Sequence, residues 1–308
     1  MKSLMDISNP LYKRFSMEMY IGELDYLEAA LFYPERNIRE KISLYAVFGG
    51  IPMILSAIDA TLSIEENIRN LVMAGDGLAR LYIEDVLRDE TAAQSATYAA
   101  VIRIGNGSRT FGEIESMIDS KTARDGLAKA LKNLISSGVL IKRQPINEQG
   151  NRKKTFYEIK INLLRFYLTY LERFSVDTSS KAFFLKYVRP SLNTFISYRF
   201  EAMVRDYFSI LSERSETSEI VTVGTYWYND RENKKNGEFD VAIETLDGYE
   251  IYEVKFLEAP MPETLVEKEK EKILHLSGLN VKEIGFVSSS GFEKEGDRRI
   301  SGKDIYAL

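Results

Sequence analysis

The chain has 308 residues, of which 44% are hydrophobic and 11% aromatic, and a formal net charge of −5, which is typical of a globular protein with two or three domains. It has no cysteine and a single histidine, His275, so disulfides, thiolate metal sites and histidine-rich zinc centres are excluded, and any metal would have carboxylate ligands. No apolar run is long enough to cross a membrane and the first residues do not resemble a signal peptide, so we expect a cytoplasmic protein.

The first part of the chain has the apolar spacing of amphipathic helices. The stretch Ile38–Phe48 is one of them, and the Gly49-Gly50-Ile51-Pro52 sequence after it predicts a tight corner between two helices. Ser63 and Glu66 have the spacing of a capping box at a helix start. Residues 1–92 are therefore predicted to form an all-α segment without chemistry of its own.

Residues 93–178 have a different pattern of predicted helices and strands. Short helices are predicted at 98–104, 110–118 and 121–137, and strands at 138–143 and 153–159, with a turn at 147–151. Three helices followed by a two-stranded ribbon are typical of a winged-helix domain. The third helix has an apolar stripe that is predicted to be buried, made of Ala123, Leu127, Leu131 and Leu134.

The same segment is rich in basic side chains on an otherwise acidic protein. They lie on the third helix and on the ribbon, and they are Lys121, Arg124, Lys129, Lys132, Lys142, Arg143, Arg152, Lys153 and Lys154. Such a surface suits the phosphates of DNA, which predicts DNA as a partner. The alternative is a solvated face, or a wing that docks on protein.

Residues 179–308 are predicted to belong to a third structural class, with mixed helices and strands. A helix is predicted at 195–211, followed by strands at 220–228, 238–244 and 249–256, a charged helix at 262–276 and a strand at 281–287. The order αβββαβ predicts a small mixed sheet with helices packed against it. The whole chain is thus predicted to be an α+β, multidomain protein.

One hairpin in this part gathers charged residues. Taking Asp247-Gly248 as a two-residue turn pairs 246 with 249 and places Asp240 opposite Lys255. Alternation of side chains then puts Asp240, Glu253 and Lys255 on one polar face, and Phe239 with Val241 on the buried face. The charges are either the wet face of an ordinary hairpin or a metal site, since adjacent carboxylates repel unless a cation or proton relieves them.

Several motifs resemble a known family. Phe200-Glu201, residues 223–228, Glu238-Phe239-Asp240 and residues 252–256 resemble the PD-(D/E)xK nuclease-like C-terminal domain of a prokaryotic AAA-type ATPase family that is common in archaea. Residues 9–14, 45–52, 66–68 and 82–84 are similar to the helical segment that follows the ATPase core in that family. The resemblance covers nearly the whole chain, as a helical lid, a winged helix and a restriction-endonuclease-like domain at 179–308.

The resemblance implies a set of site residues. Glu201, Asp240, Glu253 and Lys255 occupy the nuclease-type positions. Asp240 and Glu253 would hold Mg or Mn, Lys255 would orient water or stabilise the transition state, and Glu201 would be an outer ligand. Because the fold also has inactive members, a domain that only binds DNA or protein is the alternative.

The chain departs from the family in one respect. No G-x-x-x-x-G-K-[ST] motif is present, so we expect neither ATP binding nor ATP hydrolysis. The ATPase core expected before residue 1 is missing, which indicates a truncated gene, a fragment, or a descendant that has lost its core.

The leading hypothesis is a DNA-associated protein with a nuclease-like domain. The rivals are a non-enzymatic adaptor and a part of a complete ATPase.

Overall fold

A computed structural model describes residues 22–91, 95–105, 107–174, 178–214, 219–277 and 280–308. The family motif at 9–14 lies outside these ranges. The helices are α1 Tyr26–Ala30, α2 Ile38–Phe48, α3 Pro52–Leu55, α4 Ile64–Ile68, α5 Leu78–Thr91, α6 Ser95–Ile104, α7 Phe111–Ser116, α8 Lys121–Ser136, α9 Asn162–Tyr170, α10 Lys181–Phe183, α11 Arg189–Arg214, α12 Glu263–Leu274 and α13 Gly302–Tyr306. The strands are β1 Ser108–Thr110, β2 Leu140–Arg143, β3 Phe156–Ile159, β4 Ile220–Asp230, β5 Lys235–Thr245, β6 Gly248–Lys255, β7 Val281–Ser288 and β8 Arg299–Ser301.

The N-terminal helices begin and end where the sequence signals lie. Glu66 N donates to Ser63 Oγ at 3.2 Å and Ser63 N donates to Glu66 Oε2 at 2.9 Å, so the predicted capping box is confirmed. Helix α2 ends before Gly49, which has φ +70°. A Cβ on Gly50 would lie 1.8 Å from the carbonyl oxygen of Leu24, so this corner excludes any side chain.

The middle part is a helical unit with a small sheet. Strands β1, β3 and β2 form an antiparallel sheet in that order, and β1 was not predicted. Helix α8 buries the predicted apolar stripe. The strand predicted from residue 153 begins only at Phe156, because Arg152–Lys154 forms a 3₁₀ turn instead.

The C-terminal sheet has five strands in the order β4-β5-β6-β7-β8. Strands β4, β5 and β6 are antiparallel, and β6 pairs in parallel with β7. A parallel pair needs a crossover connection, which α12 provides. The helix, three strands, helix and strand therefore occur in the predicted order, and β8 and α13 follow them. The architecture is mixed α+β with two sheets, as the sequence predicted.

Both faces of the five-stranded sheet are covered. The main core is continuous from the N-terminal helices to the inner face of the sheet and contains Phe48, Phe166, Phe200 and Val241. A second apolar cluster covers the other face and contains Ile146, Tyr226, Ala242, Ile251 and Ile273. The face predicted to carry Asp240, Glu253 and Lys255 is therefore not wet throughout, because α12 and the turn after β2 pack on part of it.

Within the described ranges, no helix is both long enough and apolar enough to cross a membrane.

Candidate active site

Helix α11 lies along the inner face of the sheet and carries one acidic and one basic site residue. It packs through Phe200, Met203 and Val204, and the ring of Phe200 lies 6.0 Å from that of Phe256 at the end of β6. Glu201 and Arg205 are four residues apart, so they lie on the same side of the helix. Burial of the apolar side chains thus fixes where Glu201 and Arg205 meet the sheet.

A β-bulge sits at Asp240. Gly224 pairs with Ala242 and Tyr226 pairs with Phe239, so Thr225 alone faces both Asp240 and Val241. A bulge adds one residue to a strand and re-aims its side chains. The predicted alternation fails here, because Phe239 packs in the second cluster while Val241 lies in the main core. The placement of Phe239 beside Val241 on one face was therefore wrong.

The register of the β5–β6 hairpin differs from the prediction. Thr245 pairs with Gly248, so Leu246 and Asp247 form the turn and the pairing of 246 with 249 was wrong. An Asp-Gly turn of the predicted type needs positive φ at both residues, whereas here only Gly248 has it, at +138°.

This register changes the neighbour of Asp240. The last ladder pair is Val241 with Tyr252, and Asp240 and Glu253 are the next residues along the two strands. Asp240 therefore adjoins Glu253, where the predicted register placed it opposite Lys255. The shift keeps the two carboxylates of the candidate site close together.

Lys255 forms an ion pair with Glu253 on the same strand. Their side chains are 31% and 25% exposed, so the pair is accessible to a ligand. Burial would lower the pKa of Lys255, but the hydrogen bond and charge of Glu253 outweigh it and raise this pKa. Lys255 is thus a fixed positive charge beside the two carboxylates.

The carboxylates interact strongly with one another. Burial raises the pKa of Glu201 to about 8, and the negative charges of Asp240 and Glu253 add to this effect. The pKa of Asp240 is also raised, because the surrounding protein displaces water from its carboxylate although the residue is exposed at the surface, and Arg205 opposes the shift. The charges of Asp240, Glu253 and Lys255 all act on Glu201. A bound proton or cation would relieve the repulsion among the three carboxylates.

The raised pKa of Glu201 predicts a pH effect on stability. Its carboxyl keeps a proton up to about pH 8 in the folded state but loses it near 4.5 when unfolded. Between these values the folded state binds more protons, so this group lowers the free energy of unfolding as pH rises. Glu201→Gln should be more stable, relative to wild type, at about pH 8.5 than at about pH 5.5. Urea unfolding in EDTA measures the free energy of unfolding of both proteins. If the variant differs from wild type by the same amount at both pH values, the prediction is contradicted.

The donor set allows a partial metal site. Among the residues described by the structure, no group of three or more His, Cys, Asp or Glu side chains could hold one ion. Magnesium commonly uses one or two carboxylates together with water and substrate phosphates. The adjacent pair Asp240 and Glu253 fits that pattern, whereas a closed protein cage does not exist among the described side chains.

The predicted basic surface divides into two groups. Lys121, Arg124, Lys129 and Lys132 on α8 are exposed, as are Lys142, Arg152 and Lys153. Arg143 instead pairs with Glu158 at 2.7 Å and with Glu238 at 2.5 Å, and its side chain is 16% exposed. The Lys154 ammonium lies 2.9 Å from the centre of the Trp227 ring, and burial lowers its pKa.

The turn after β2 docks on the C-terminal sheet. Asn147 Nδ2 donates to the Trp227 carbonyl at 2.7 Å, and Trp227 N donates to Asn147 Oδ1 at 2.9 Å. Ile146 adds apolar contact in the second cluster. The turn after β2 therefore contacts the C-terminal sheet of the same chain, and two of the nine predicted basic residues, Arg143 and Lys154, also contact that sheet.

Sequence reasoning missed a network of buried charges beside the site. Glu158 accepts from Arg143 and lies 3.8 Å from Arg165, and Arg205 Nη1 donates to the Asp240 carbonyl at 2.5 Å. The spacing of Arg205 from Glu201 on a predicted helix was the one available signal. For Glu158 and Arg165 no local pattern exists, because their partners are distant in sequence.

Comparisons with known proteins give distant relatives. An uncharacterized protein of Methanocaldococcus jannaschii is 23% identical over 233 residues, which cover 75% of this chain and 52% of the relative. This chain therefore spans about half the length of the curated relative it matches.

Two solved structures are similar at a low level. Protein VC1899 from Vibrio cholerae has a TM-score of 0.29 and 12% identity, with 80% of this chain and 55% of that chain covered. Can2 from Sulfobacillus thermosulfidooxidans, solved in complex with cyclic tetra-adenylate, has a TM-score of 0.25 and 10% identity, with 74% and 53% covered. These scores are too low to establish a common overall fold.

One family model matches the part of the chain that holds the candidate site. The match begins within α9, ends within α12 and contains all four candidate site residues. Residues 163–273 match the family DUF234, which is described as archaea bacterial proteins of unknown function.

Proposed function

We propose that this chain is a DNA-associated protein whose C-terminal part is a PD-(D/E)xK-like, metal-dependent nuclease domain. The observation that carries the proposal is the meeting of Asp240, at a bulge of β5, with Glu253 and Lys255 on β6. Glu201 on α11 shares their electrostatic environment. Perturbed carboxylates beside a lysine are more typical of a functional site than of a wet sheet face.

Asp240 and Glu253 are the residues that would hold magnesium or manganese. Such an ion, when bound, supplies charge neutralisation at a scissile phosphate and activation of water. Hard carboxylate oxygens are the ligands these ions prefer. No ATP is needed in this proposal, since no phosphate-binding loop motif occurs in the sequence.

The chain's own residues have distinct roles in the proposed reaction. Lys255, held by Glu253, places a positive charge where negative charge develops on the phosphate. Glu201, whose pKa is raised by burial and by the charges of Asp240 and Glu253, can hold or give up a proton beside Asp240. The Arg205 guanidinium donates to the main-chain carbonyl oxygen of Asp240 and so holds this part of the backbone in place. The direct test is cleavage of DNA in Mg or Mn by wild type and by Asp240→Ala.

The middle part supports the DNA association. Helices α6, α7 and α8 followed by strands β2 and β3 have the order of a winged-helix domain. The exposed basic residues of α8 would contact phosphates, so binding should be weak, sequence-tolerant and sensitive to salt.

Charge reversal on α8 tests this surface. Lys129→Glu with Lys132→Glu should weaken duplex binding and reduce the slope of log affinity against log salt by about 1 per lost contact. The matched control is Lys268→Glu with Lys270→Glu, which makes the same charge change at exposed positions of α12. Fluorescence anisotropy measures both. Equal affinities for the two double variants would point to a surface that does not bind DNA.

A second candidate is a non-enzymatic binding module. It is favoured by the lack of a three-ligand metal group among the described residues and by the use of Arg143 and Lys154 in internal contacts. In that case DNA or protein binding persists while cleavage is absent with either metal. A third candidate, a part of a complete ATPase, is compatible with the chain spanning 52% of its relative.

A further inference from the structure

A cleft of about 420 Å³ lies beside the candidate site. One wall comes from the end of β2 and the turn after it, and the opposite wall comes from α11 and the start of β4. The cleft thus opens where the middle part of the chain docks on the C-terminal sheet. Its lining includes Lys142, Arg143, Gln144, Arg205, Asp206 and Thr222.

The lining carries three basic side chains, those of Lys142, Arg143 and Arg205, and one carboxylate, that of Asp206. Because Arg143 is already paired with Glu158 and Glu238, Lys142 is the most accessible positive charge of the cleft. Lys142 is exposed, and no ion pair is found for it among the described residues. Arginine presents its donors in a planar fork that matches phosphate oxygens, and glutamine and threonine add neutral donors.

The two arginines are held in place by other groups. Arg143 is fixed by Glu158 and Glu238, which orients its guanidinium before any ligand arrives. The Arg205 guanidinium donates from Nη1 to the Asp240 carbonyl, and this is the one side-chain hydrogen bond found for Arg205 within the described residues. Arg205 is also part of the cleft lining. Pre-organised donors cost less entropy when they bind a ligand.

The cleft and the candidate site share a wall. Arg205 lines the cleft and contacts Asp240, and Glu238, which holds Arg143, lies two residues before Asp240. A strand with a phosphate in the cleft would thus lie beside Arg205, the residue that contacts Asp240. We propose that the cleft binds a backbone phosphate of a nucleic-acid strand and guides that strand to Asp240 and Glu253. This inference rests on the proposed function and names the substrate path.

Binding without cleavage tests the path. Wild type, Lys142→Glu and Lys303→Glu are titrated with a fluorescein-labelled DNA single strand in EDTA. Lys303 is exposed on α13 and outside the cleft, so it matches the charge change. Lys142→Glu should weaken binding about tenfold, which corresponds to about 1.4 kcal/mol, and should lower the salt slope by about 0.7, the value for one phosphate contact on a single strand. Lys303→Glu should leave both nearly unchanged.

The absence of cysteine from the chain allows a second, independent measurement. Lys142→Cys and Lys303→Cys each introduce a single thiol, and the rate of maleimide alkylation reports its access to solvent. DNA should protect position 142 and leave position 303 reactive. Inorganic phosphate alone, as a competitor, distinguishes a small-anion site from a strand path, since only a strand should protect position 142 at low concentration.

The outcomes separate this inference from the proposed function. Equal binding by the two charge-reversed variants, or equal alkylation of the two thiols with DNA, overturns the strand path even where cleavage is observed. Binding that depends on Lys142, together with no cleavage in Mg or Mn, supports the path and overturns only the nuclease proposal.

Discussion

Asp240→Ala should reduce DNA cleavage in Mg or Mn by at least about 100-fold, because it removes one of the two carboxylates proposed to hold the ion that neutralises the scissile phosphate, and loss of such charge stabilisation commonly costs that much. The substitution removes one of two adjacent carboxylates but keeps the main-chain carbonyl that accepts from Arg205. The fold should therefore be retained. Conversion of supercoiled plasmid to nicked and linear forms measures the effect.

The control for this variant is Glu244→Ala. Glu244 lies on the same strand and is partly exposed, and it accepts a hydrogen bond from Tyr249 at 3.5 Å. Its removal should change cleavage less than twofold, by roughly 0.4 kcal/mol or less. Cleavage that survives in Asp240→Ala would show either a contaminating nuclease or a site elsewhere in the chain. Absence of cleavage by wild type in both metals would favour the binding module.

Glu158→Gln should destabilise the protein by about 3 kcal/mol, because removal of one partner from a buried ion pair leaves an uncompensated charge. Glu158 has a side chain that is 6% exposed, and it lies between Arg143 at 2.7 Å and Arg165 at 3.8 Å. Burial would raise the pKa of Glu158, but Arg143, Arg165 and Arg205 lower it, so the carboxylate is charged. The variant would leave buried guanidinium groups facing one another.

The control for the buried pair is a surface pair. Glu258 accepts from Arg39 at 3.2 Å, and its side chain is 84% exposed. Glu258→Gln should therefore change the free energy of unfolding by less than about 1 kcal/mol. Urea midpoints, compared at equal m-values, measure both variants. A loss below about 1 kcal/mol for Glu158→Gln would mean that water reaches the arginines and that the network does not hold the two parts together.

The sites of Asp240→Ala and Glu158→Gln are connected in the structure. Arg143 joins Glu158 on β3 to Glu238 on β5, two residues before Asp240. A loss of Glu158 should therefore disturb the docking of the middle part on the C-terminal sheet as well as global stability. The docking contacts of Asn147 with Trp227 give a second connection between the same parts.

Local signals were sufficient for most of the secondary structure. Helix α2 has the predicted limits, and the Ser63 capping box and the buried stripe of α8 are confirmed. Each depends on contacts within a few residues, such as an N-cap bond or spacing around one helix. The four candidate site residues also came from sequence, through a resemblance to a family, and their catalytic roles stay predictions.

The arrangement of the site required the tertiary structure. The turn at Leu246-Asp247 and the bulge at Asp240 bring that residue beside Glu253, and a bulge depends on the partner strand, which no local pattern reveals. The role of Arg143 depends on Glu238, 95 residues away. Propensity and periodicity act over one or two turns of a helix or along one strand, so the sequence by itself determined which elements form and which face of a helix is buried. Which charges meet was decided only by the packing of distant segments, because burial makes each charge depend on whichever partner the fold places next to it.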